Sequence, residues 1–413
     1  MKKRMLIGLL VGWVSAEAQT SADTTLGWQP GYLDIHHINT GRGNSTFSVF
    51  PDGTTFLLDA GDLNPGPFLK KNAPLRLGPA RPNDGKSPGQ WIAEYVRQAG
   101  PAGGPARLDY LVVSHFHSDH FGEVRERPGT AAFQRTGVTE VGDLLPVGTI
   151  LDRGYPRYDF PTDLRNYYRE EGSTFLNYLA FLDEKKKSGA RAEGVLPGSN
   201  RQIHLLRDAK TYPSFEVRNV KANGTFWTGK GDGAEVRFNA DSVLQGGRFN
   251  ENPLSVALLI RYGAFDYFTG ADNTGLQGYG LPAWFDTETP MAAAVGRVDA
   301  MTLNHHGNRD ASNGTFLRTL QPNVVVQQAW CSDQPGQEVT FRLIESKSDV
   351  FALYLQPESR TYLGPWLNKA YRSLEGHVLI RVVPGGDRFY VAVLDDTATI
   401  LRVRKWYGPY RAE

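Results

Sequence analysis

Four potential metal ligands fall close together in the first third of the chain. They are His115, His117, Asp119 and His120. Imidazole nitrogens and carboxylate oxygens are ligands that divalent transition metals favour, and the apolar run 108–113 before them predicts a short, stiff strand. So many ionisable side chains would crowd one another unless a metal or a partner held them together. The segment therefore predicts a metal site at the carboxyl end of a strand.

Further candidate ligands follow strand-like segments much later in the chain. Asp272 follows an apolar hairpin pattern over residues 254–268, and His305 and His306 follow the apolar run 298–303. Strand ends along one edge of a sheet are where residues distant in sequence can converge. A single Asp after a strand is more often a turn residue, so Asp272 taken alone is open to either interpretation.

The elements that must position these residues alternate between strands and helices. Residues 32–38 and 45–58 are typical of three antiparallel strands with an Asp-Gly turn between the last two. The apolar spacing of Gln90–Gln98 predicts a helix, and the strand over 108–113 leads from it to the candidate ligands. This order of elements predicts an α/β fold.

Residues 122–214 differ in composition from the rest of the chain. An amphipathic helix is predicted over 173–187, and five tyrosine or phenylalanine residues lie between 155 and 168. These aromatic residues either line the rim of a pocket or pack the segment against the core. Because no repeat or low-complexity linker divides the chain, residues 19–413 are expected to form one domain with a β-rich extension at 340–413.

The first 18 residues have the pattern of a secretory signal peptide. A basic start is followed by the apolar run Met5–Val14 and by Ala16-Glu17-Ala18, a small-x-small site before the expected cleavage. About ten apolar residues are too few to span a bilayer as a helix. The protein is therefore expected to be exported to the periplasm or the extracellular space without a permanent membrane anchor.

Charge and cysteine content limit the partners. The chain of 413 residues has a formal charge of +1, and loss of residues 1–18, with three basic residues and one acidic residue, would make it −1. A near-neutral protein has no overall attraction to nucleic acid, so a nucleic-acid partner has no support from charge, and a small-molecule or cell-envelope substrate is favoured. The single cysteine, Cys331, cannot form an internal disulfide and is expected to be buried among apolar residues.

Four short motifs occur in an order that resembles the metallo-β-lactamase superfamily. They are Gly-Arg-Gly-Asn-Ser at 41–45, His-x-His-x-Asp-His at 115–120, Thr-Gly-Ala-Asp at 269–272 and His-His-Gly at 305–307. The first and last are most similar to the branch that contains the nuclease-like domain of the competence protein ComEC and secreted phosphorylcholine esterases. The resemblance implies an αββα sandwich with two divalent metal ions at one edge of the paired sheets. Residues 122–214 would then be a largely helical, aromatic-rich insertion.

The resemblance also implies a role for each candidate ligand. The implied ligands are His115 and His117 for the first metal, Asp119, His120 and His306 for the second, and Asp272 for both. His306 is preferred to His305 because the ligand in similar motifs directly precedes a glycine. His305 would then face the substrate or support the ligands.

One expected ligand of the first metal is missing. The family usually supplies another histidine from a loop before the Asp-bearing hairpin, where this chain has Asn223-Gly224. Asn223 is either an amide-oxygen ligand or a plain turn residue. Zinc is the favoured metal for imidazole ligands, and manganese is the alternative.

The resemblance implies a metal-dependent hydrolase that uses a metal-held hydroxide as its nucleophile, and the signal pattern adds that it is exported. Asp119 would orient the hydroxide and take its proton, and His305 would contact an anionic oxygen or protonate the leaving group. Phosphate esters are the preferred substrates because of the branch that the His-His-Gly motif resembles. The alternatives are hydrolysis of a lactam, lactone or thioester, and a non-catalytic metal- or carbohydrate-binding protein with a degenerate site.

Overall fold

Two mixed β-sheets form the centre of the computed structural model, which describes residues 23–125, 132–171, 174–245, 249–276 and 280–413. In this part of the chain the strands are β1 (Leu33–His37), β2 (Thr46–Val49), β3 (Thr55–Leu58), β4 (Leu108–Val113), β5 (Val147–Asp152), β6 (Arg191–Gly194), β7 (Phe215–Ala222), β8 (Thr225–Trp227), β9 (Ala234–Val236), β10 (Ala257–Tyr262), β11 (Phe265–Thr269), β12 (Ala300–Thr302), β13 (Val324–Gln327), β14 (Asp349–Ala352), β15 (Tyr371–Ser373), β16 (His377–Val382), β17 (Arg388–Leu394) and β18 (Val403–Arg411).

Short helices connect many of these strands. They are α1 (Pro65–Lys71), α2 (Pro88–Ala99), α3 (Ser118–Phe121), α4 (Gly137–Leu144), α5 (Leu164–Glu171), α6 (Thr174–Lys187), α7 (Ala240–Leu244), α8 (Glu288–Val295), α9 (Gly314–Leu320), α10 (Gln337–Ser346) and α11 (Pro357–Leu363). The 3-10 segments are Asn252–Leu254, Ala283–Phe285, Asn304–Gly307 and Gly364–Lys369. Within the described residues, no helix is long and apolar enough to cross a bilayer.

Counted over the described ranges, each sheet has nine strands and combines parallel with antiparallel pairs. The first sheet has the order β18-β17-β16-β1-β2-β3-β4-β5-β6, and the second has the order β15-β14-β13-β12-β11-β10-β7-β8-β9. Strands β3 to β6 are parallel neighbours, as are β11 to β15. The carboxyl ends of β4 and β12, which precede the candidate ligands, therefore lie in different sheets.

The apolar side chains divide into three layers because successive residues of a strand face opposite sides of its sheet. In β10, Leu258 and Ile260 pack between the two sheets, whereas Ala257 and Leu259 pack with helices α8, α9 and α10 outside the second sheet. A third layer places α2, α4 and α6 against the outer face of the first sheet. The architecture is thus the αββα sandwich that the motifs predict.

Two regions outside the resembled motifs supply strands to this sandwich. Residues 122–214 contain β5 and β6, which extend the first sheet, together with helices α4, α5 and α6. Residues 340–413 supply β14 and β15 to the second sheet and β16 to β18 to the first, where β16 pairs with β1. Both regions therefore take part in the sheets and are not appended to them.

Candidate metal centre

The segment 115–120 lies directly after β4 at the edge of the first sheet, where the sequence predicts it. Every residue of β4 is buried, and the short helix α3 begins after His117. His115 and His120 are fully buried, whereas His117 is partly exposed. A buried strand followed at once by a helical turn fixes the directions of these side chains. That rigidity suits a metal site, whose ligands must be held in place.

Six of the predicted residues converge in two groups that share one carboxylate. The first ligand group is His115, His117 and Asp272, and the second ligand group is Asp119, His120, Asp272 and His306. Within each group, one potential ligand atom from every residue lies within 4.8 Å of the others. Asp272 follows β11 of the second sheet, so the two sheets together assemble the centre.

In the first ligand group, two imidazole nitrogens face each other across a short gap. Nε2 of His115 lies 3.1 Å from Nδ1 of His117 and 3.8 Å from Oδ2 of Asp272. These three atoms are the protein ligands that a first ion would meet. A zinc site normally has four ligands, of which three or four come from protein, so this group is at the lower limit.

In the second ligand group, Asp272 and Asp119 face two histidines. Nε2 of His306 lies 2.9 Å from Oδ2 of Asp119 and 3.4 Å from Oδ2 of Asp272. Nε2 of His120 lies 3.0 Å from Oδ1 of Asp272. All four residues are buried, so the group combines two imidazoles and two carboxylates away from bulk water.

Two buried atoms in this centre indicate that it suits a cation. Neither Nε2 of His120 nor Oδ1 of Asp272 has a hydrogen-bond partner, although they lie 3.0 Å apart, because their geometry is not that of a hydrogen bond. Buried polar atoms in folded proteins nearly always have partners. Two unpartnered ligand atoms directed at a shared space are therefore a better fit to a divalent ion than to a closed hydrogen-bond network.

The His-His-Gly turn separates its two histidines. His305 and His306 both have positive φ angles, of 45° and 58°, so consecutive side chains leave the turn in different directions. His306 joins the second ligand group, as the sequence predicts, whereas Nε2 of His305 lies 3.9 Å from Oδ2 of Asp272. Nδ1 of His305 is 2.5 Å from Oδ1 of Asp310.

The charge on His305 depends on its carboxylate neighbours. Burial opposes the charge, but Asp272 and Asp310 raise the pKa of His305. A cation bound at Asp272 would offset the negative charge of that carboxylate and would favour the neutral form of the His305 ring. In that form, the hydrogen bond to Asp310 places the remaining proton on Nδ1.

Sequence reasoning missed a carboxylate behind the second ligand group. Oδ2 of Asp59, directly after β3, lies 2.7 Å from Nδ1 of His120 and accepts a hydrogen bond of 2.7 Å from the Ser114 hydroxyl. The Ser114 backbone N–H donates to Oδ1 of Asp59 at 2.8 Å. Such a carboxylate fixes the tautomer of a metal-binding histidine and aims its other nitrogen at the ion. The parallel pairing of β3 with β4 was the available signal, since it brings both strand ends to one edge.

The glycine-rich motif at 41–45 contacts the backbone of the ligand segment 115–120 at Asp119. The Asn44 backbone N–H donates to the Asp119 carbonyl oxygen at 2.8 Å. A Cβ atom on Gly43 or on Gly61 would lie 2.1 Å from that carbonyl oxygen, closer than any side chain permits. Glycine is therefore required where these backbones meet, and the motif acts by positioning Asp119.

Asn223 does not point toward the centre. Its side-chain oxygen accepts a hydrogen bond of 2.9 Å from Arg153, and its nitrogen donates to the Arg153 carbonyl at 2.7 Å. Both polar groups of the amide are thus engaged by one residue, and the positive φ of 54° is that of a turn. Of the two interpretations that the sequence leaves open, the structure favours the turn residue.

The consecutive histidines His36 and His37 lie in the interior and not at the metal centre. His36 and His37 are the last residues of β1, and their ring nitrogens face the hydroxyls of Tyr95 at 3.0 Å and Tyr267 at 2.9 Å. Burial lowers the pKa of His36 to about 4 and that of His37 to about 3. Both are therefore neutral hydrogen-bonding groups of the core at physiological pH.

The two ligand groups also differ in charge. Burial lowers the pKa of His115 well below its ordinary value, and it lowers the pKa of His117 as well. Burial opposes charge on His120 and His306 too, but carboxylates, led by Asp272, raise the pKa of His120 well above its ordinary value and that of His306 to about 9. Without an ion, the second ligand group thus holds protons that the first does not.

The centre opens into a cleft of about 490 Å³. One wall is apolar and is formed by Leu63, Phe68, Leu75 and Trp330. The polar lining includes four members of the ligand groups, His117, Asp119, Asp272 and His306, together with His305 and Asn252. A cleft of this size admits a small molecule or the end of a larger one, with one part against the apolar wall. Cys331 also borders the cleft and is buried, in accord with its expected environment.

Comparisons with known proteins find solved structures of low similarity. No family model matches the chain, and a search of curated proteins found no match. Among solved structures, a mutant of the β-hydroxylase CmlA is 14% identical with a TM-score of 0.40, over 92% of this chain and 60% of that chain. Zinc-bound PqqB from Methylobacterium extorquens is 11% identical with a TM-score of 0.36, over 84% and 99% of the two chains. The short form of human tRNase Z is 9% identical with a TM-score of 0.30, over 79% and 93%.

Proposed function

We propose that this protein is an exported, metal-dependent hydrolase of phosphate esters. The observation that carries the proposal is the convergence of two ligand groups on the buried Asp272 in an open cleft. Two dications bound there would supply a strong nucleophile from water at neutral pH and would stabilise both the attacking and the leaving oxygens. The donor set of imidazoles and carboxylates suits zinc, with manganese as the alternative.

Asp119 is the proposed proton acceptor of the reaction. The oxygen of water bonds to phosphorus as one of its O–H bonds breaks, and that proton passes to a carboxylate oxygen of Asp119. The bond from phosphorus to the ester oxygen breaks with its electron pair on the departing oxygen, which takes a proton from solvent in the open cleft. Burial alone would raise the pKa of Asp119, but His120 and His306 lower it, so the group is ionised at neutral pH. It lines the cleft, where a substrate can reach it.

His305 takes a different role from the one that the sequence suggests. As a proton donor to the leaving group, it would need a proton on the nitrogen that faces the cleft. Its Nδ1 atom faces Asp310, and its Nε2 atom lies 3.0 Å from the Asn252 amide nitrogen. We therefore propose that His305 positions Asn252 and does not transfer a proton.

The preference for phosphate esters rests on the motifs at 41–45 and 305–307. Because the cleft is small and has an apolar wall, we propose that the substrate is small at its reactive end and carries an apolar group toward Trp330. The near-neutral charge of the chain gives no support to a nucleic-acid substrate. A small molecule or a cell-envelope component is the proposed substrate class.

A substrate panel tests this function. Metal-free protein is reloaded with zinc or manganese and assayed with a chromogenic phosphodiester, a phosphomonoester and a β-lactam. We expect turnover of a phosphate ester that Asp272→Ala abolishes and Cys331→Ser retains. Turnover of the lactam alone would contradict the proposed substrate class. Binding of less than one ion per chain, with no effect of Asp119→Ala, would instead favour a non-catalytic binding protein.

Export is proposed from the sequence of residues 1–18, which lie outside the described residues. The basic start and the apolar run support it. Expression with the full N-terminus should yield a protein outside the cytoplasm whose first residue is Gln19. Retention of Met1 in a cytoplasmic product would contradict the proposal.

A further inference from the structure

The first ligand group has a buried neighbour that sequence reasoning did not single out. Asn252 opens the 3-10 segment Asn252–Leu254, is only 6% exposed and lines the same cleft as His117 and Asp272. Its side-chain oxygen has no hydrogen-bond partner. An unpartnered buried amide oxygen is costly, so its position next to an incomplete set of metal ligands needs a physical reason.

The loop that carries Asn252 is fixed to the first ligand group on one side. Glu251 accepts a hydrogen bond of 3.2 Å from the backbone N–H of Phe116, the residue between the two histidines of that group. The Val256 N–H donates to the Ser114 carbonyl at 3.0 Å. The loop therefore runs along residues 114–117.

Two further side chains hold the same loop. Lys221 is buried and donates to the carbonyls of Pro253 at 2.6 Å and Ser255 at 3.1 Å. Asn273, next to the shared carboxylate, donates to the Ser255 carbonyl at 3.2 Å. These bonds tie the loop that carries Asn252 to residues 114–116 and to Asn273, which are next to the ligands His115, His117 and Asp272.

The orientation of the Asn252 amide follows from His305. Nδ1 of His305 faces Oδ1 of Asp310, and Nε2 of His305 lies 3.0 Å from the Asn252 side-chain nitrogen. Because an amide nitrogen can only donate, Nε2 of His305 is the acceptor in this placement. The oxygen must then point the other way, and it has no protein partner there. Asn223 differs in this respect because Arg153 occupies both ends of its amide.

We infer that the side-chain oxygen of Asn252 is a ligand of the first metal ion, together with His115, His117 and Asp272. The inference rests on the metal centre of the proposed function and adds a ligand to it. The first ion would then meet two imidazole nitrogens and two oxygens. An amide oxygen in place of a third imidazole makes this position harder and improves its relative affinity for manganese over zinc.

Metal titration of substituted proteins tests the assignment without an activity assay. Metal-free wild type, Asn252→Leu and Asn223→Gly are titrated with Mn²⁺ while free Mn²⁺ is followed by electron paramagnetic resonance. Leucine removes the oxygen at similar volume, and glycine tolerates the positive φ of residue 223. We expect two ions for wild type and for Asn223→Gly. For Asn252→Leu we expect unchanged affinity for the ion at the second ligand group. Affinity for the ion at the first ligand group should be weaker by at least about tenfold.

Cobalt spectra give a second readout that a purely structural role of Asn252 would not change. In Asn252→His, a nitrogen replaces the oxygen, so the visible absorption of one bound Co²⁺ should shift and the preference for zinc over manganese should increase. Two ions with wild-type affinities in Asn252→Leu and an unshifted cobalt spectrum in Asn252→His would overturn the assignment. Binding of no ion by wild type would overturn the proposed metal centre itself.

Discussion

The two ligand groups meet at Asp272 but are supported in different ways. The second ligand group rests on the ends of sheet strands: Asp59, after β3, contacts Nδ1 of His120, and the Gln328 carbonyl, after β13, lies 3.1 Å from Nδ1 of His306. The first ligand group lies against the loop of Glu251 and Asn252. The second group is therefore held by strand ends, whereas the first, although His115 also follows β4, depends in addition on a loop.

The loop of the first ligand group is in turn fixed by the region 122–214. Arg153 pairs with Glu251 in the interior, and the Tyr168 hydroxyl donates to Glu251 at 2.6 Å. The aromatic ring of Phe116 lies 4.8 Å from the Arg153 guanidinium. Tyr168, one of the predicted aromatic residues, thus packs this region against the loop of the metal centre. This difference indicates that changes in this region would alter the first ion while the second stays in place.

Removal of the shared carboxylate should have the largest effect because it affects both groups. Asp272→Ala should lose both ions and reduce kcat/KM by roughly 10³-fold or more, since two cations no longer stabilise the transition state. Elemental analysis and the phosphate-ester assay measure the two effects. Full activity in this variant would show that Asp272 does not bridge the ions.

Removal of the support behind His120 should affect the second ligand group more than the first. Asp59→Asn keeps the size of the side chain but removes the charge that orients His120, so affinity for the second ion should fall about 10–100-fold. Affinity for the first ion should fall less, because Asp59 reaches that group only through the Ser114 hydroxyl, which lies 3.1 Å from Nδ1 of His115. Isothermal titration with zinc distinguishes the two sites, and an equal loss at both would contradict the separate supports.

The pH dependence of metal binding should differ between the groups. His306 has a pKa of about 9 in the absence of an ion, so the second ion must displace a proton at pH 7.5. Affinity for this ion should rise about tenfold per pH unit for each proton displaced, up to about pH 9. The first ion should show no such rise from pH 7, because the pKa values of His115 and His117 are lowered. Titration in buffers of different ionisation enthalpy counts the protons.

Protonation of His306 also changes the free energy of unfolding of the metal-free protein, which should fall with rising pH while metal affinity rises. Because the folded pKa of His306 lies above its ordinary value of 6.5, its stabilising contribution is complete below about pH 6.5 and is lost as the pH rises through 9. Denaturant unfolding of the metal-free protein should therefore show this loss. In His306→Gln, the free energy of unfolding should no longer fall over this pH range.

Cys331 should have the smallest effect although it borders the cleft. Its sulfur belongs to the apolar cluster of Leu63 and Trp330 and is not part of either ligand group. Cys331→Ser should keep kcat/KM within about twofold and lower the free energy of unfolding by about 1 kcal/mol, as a buried hydroxyl replaces a thiol. A large loss of bound metal in this variant would show that the cleft wall takes part in coordination.

The sequence predicts those parts of the centre whose signals are local. The four ligands at 115–120 are contiguous, and Asp272 and His306 follow apolar strands in a recognisable order. Helix α2 is predicted from the apolar spacing of Gln90–Gln98, and it begins two residues earlier, at Pro88, after the capping box of Ser87 and Gln90. In each case the residues that determine the structure are neighbours in sequence.

Asn252 and Asp59 were missed because their roles depend on distant partners. Residues 254–256 resemble the start of a strand, but Lys221 holds the carbonyls of Pro253 and Ser255, and β10 begins only at Ala257. Asn223 and Asn252 are the same residue type in loops of the same region. What distinguishes them is Arg153 in one case and His305 in the other, which no local pattern reveals.

Anomalous diffraction from crystals grown with manganese or zinc tests the central claim most directly. The account predicts two peaks about 3.5–4 Å apart. Asp272 should lie between them, with His306 at one peak and the oxygen of Asn252 at the other. A single peak that Asp272 does not contact, or two peaks without a shared ligand, would contradict the account.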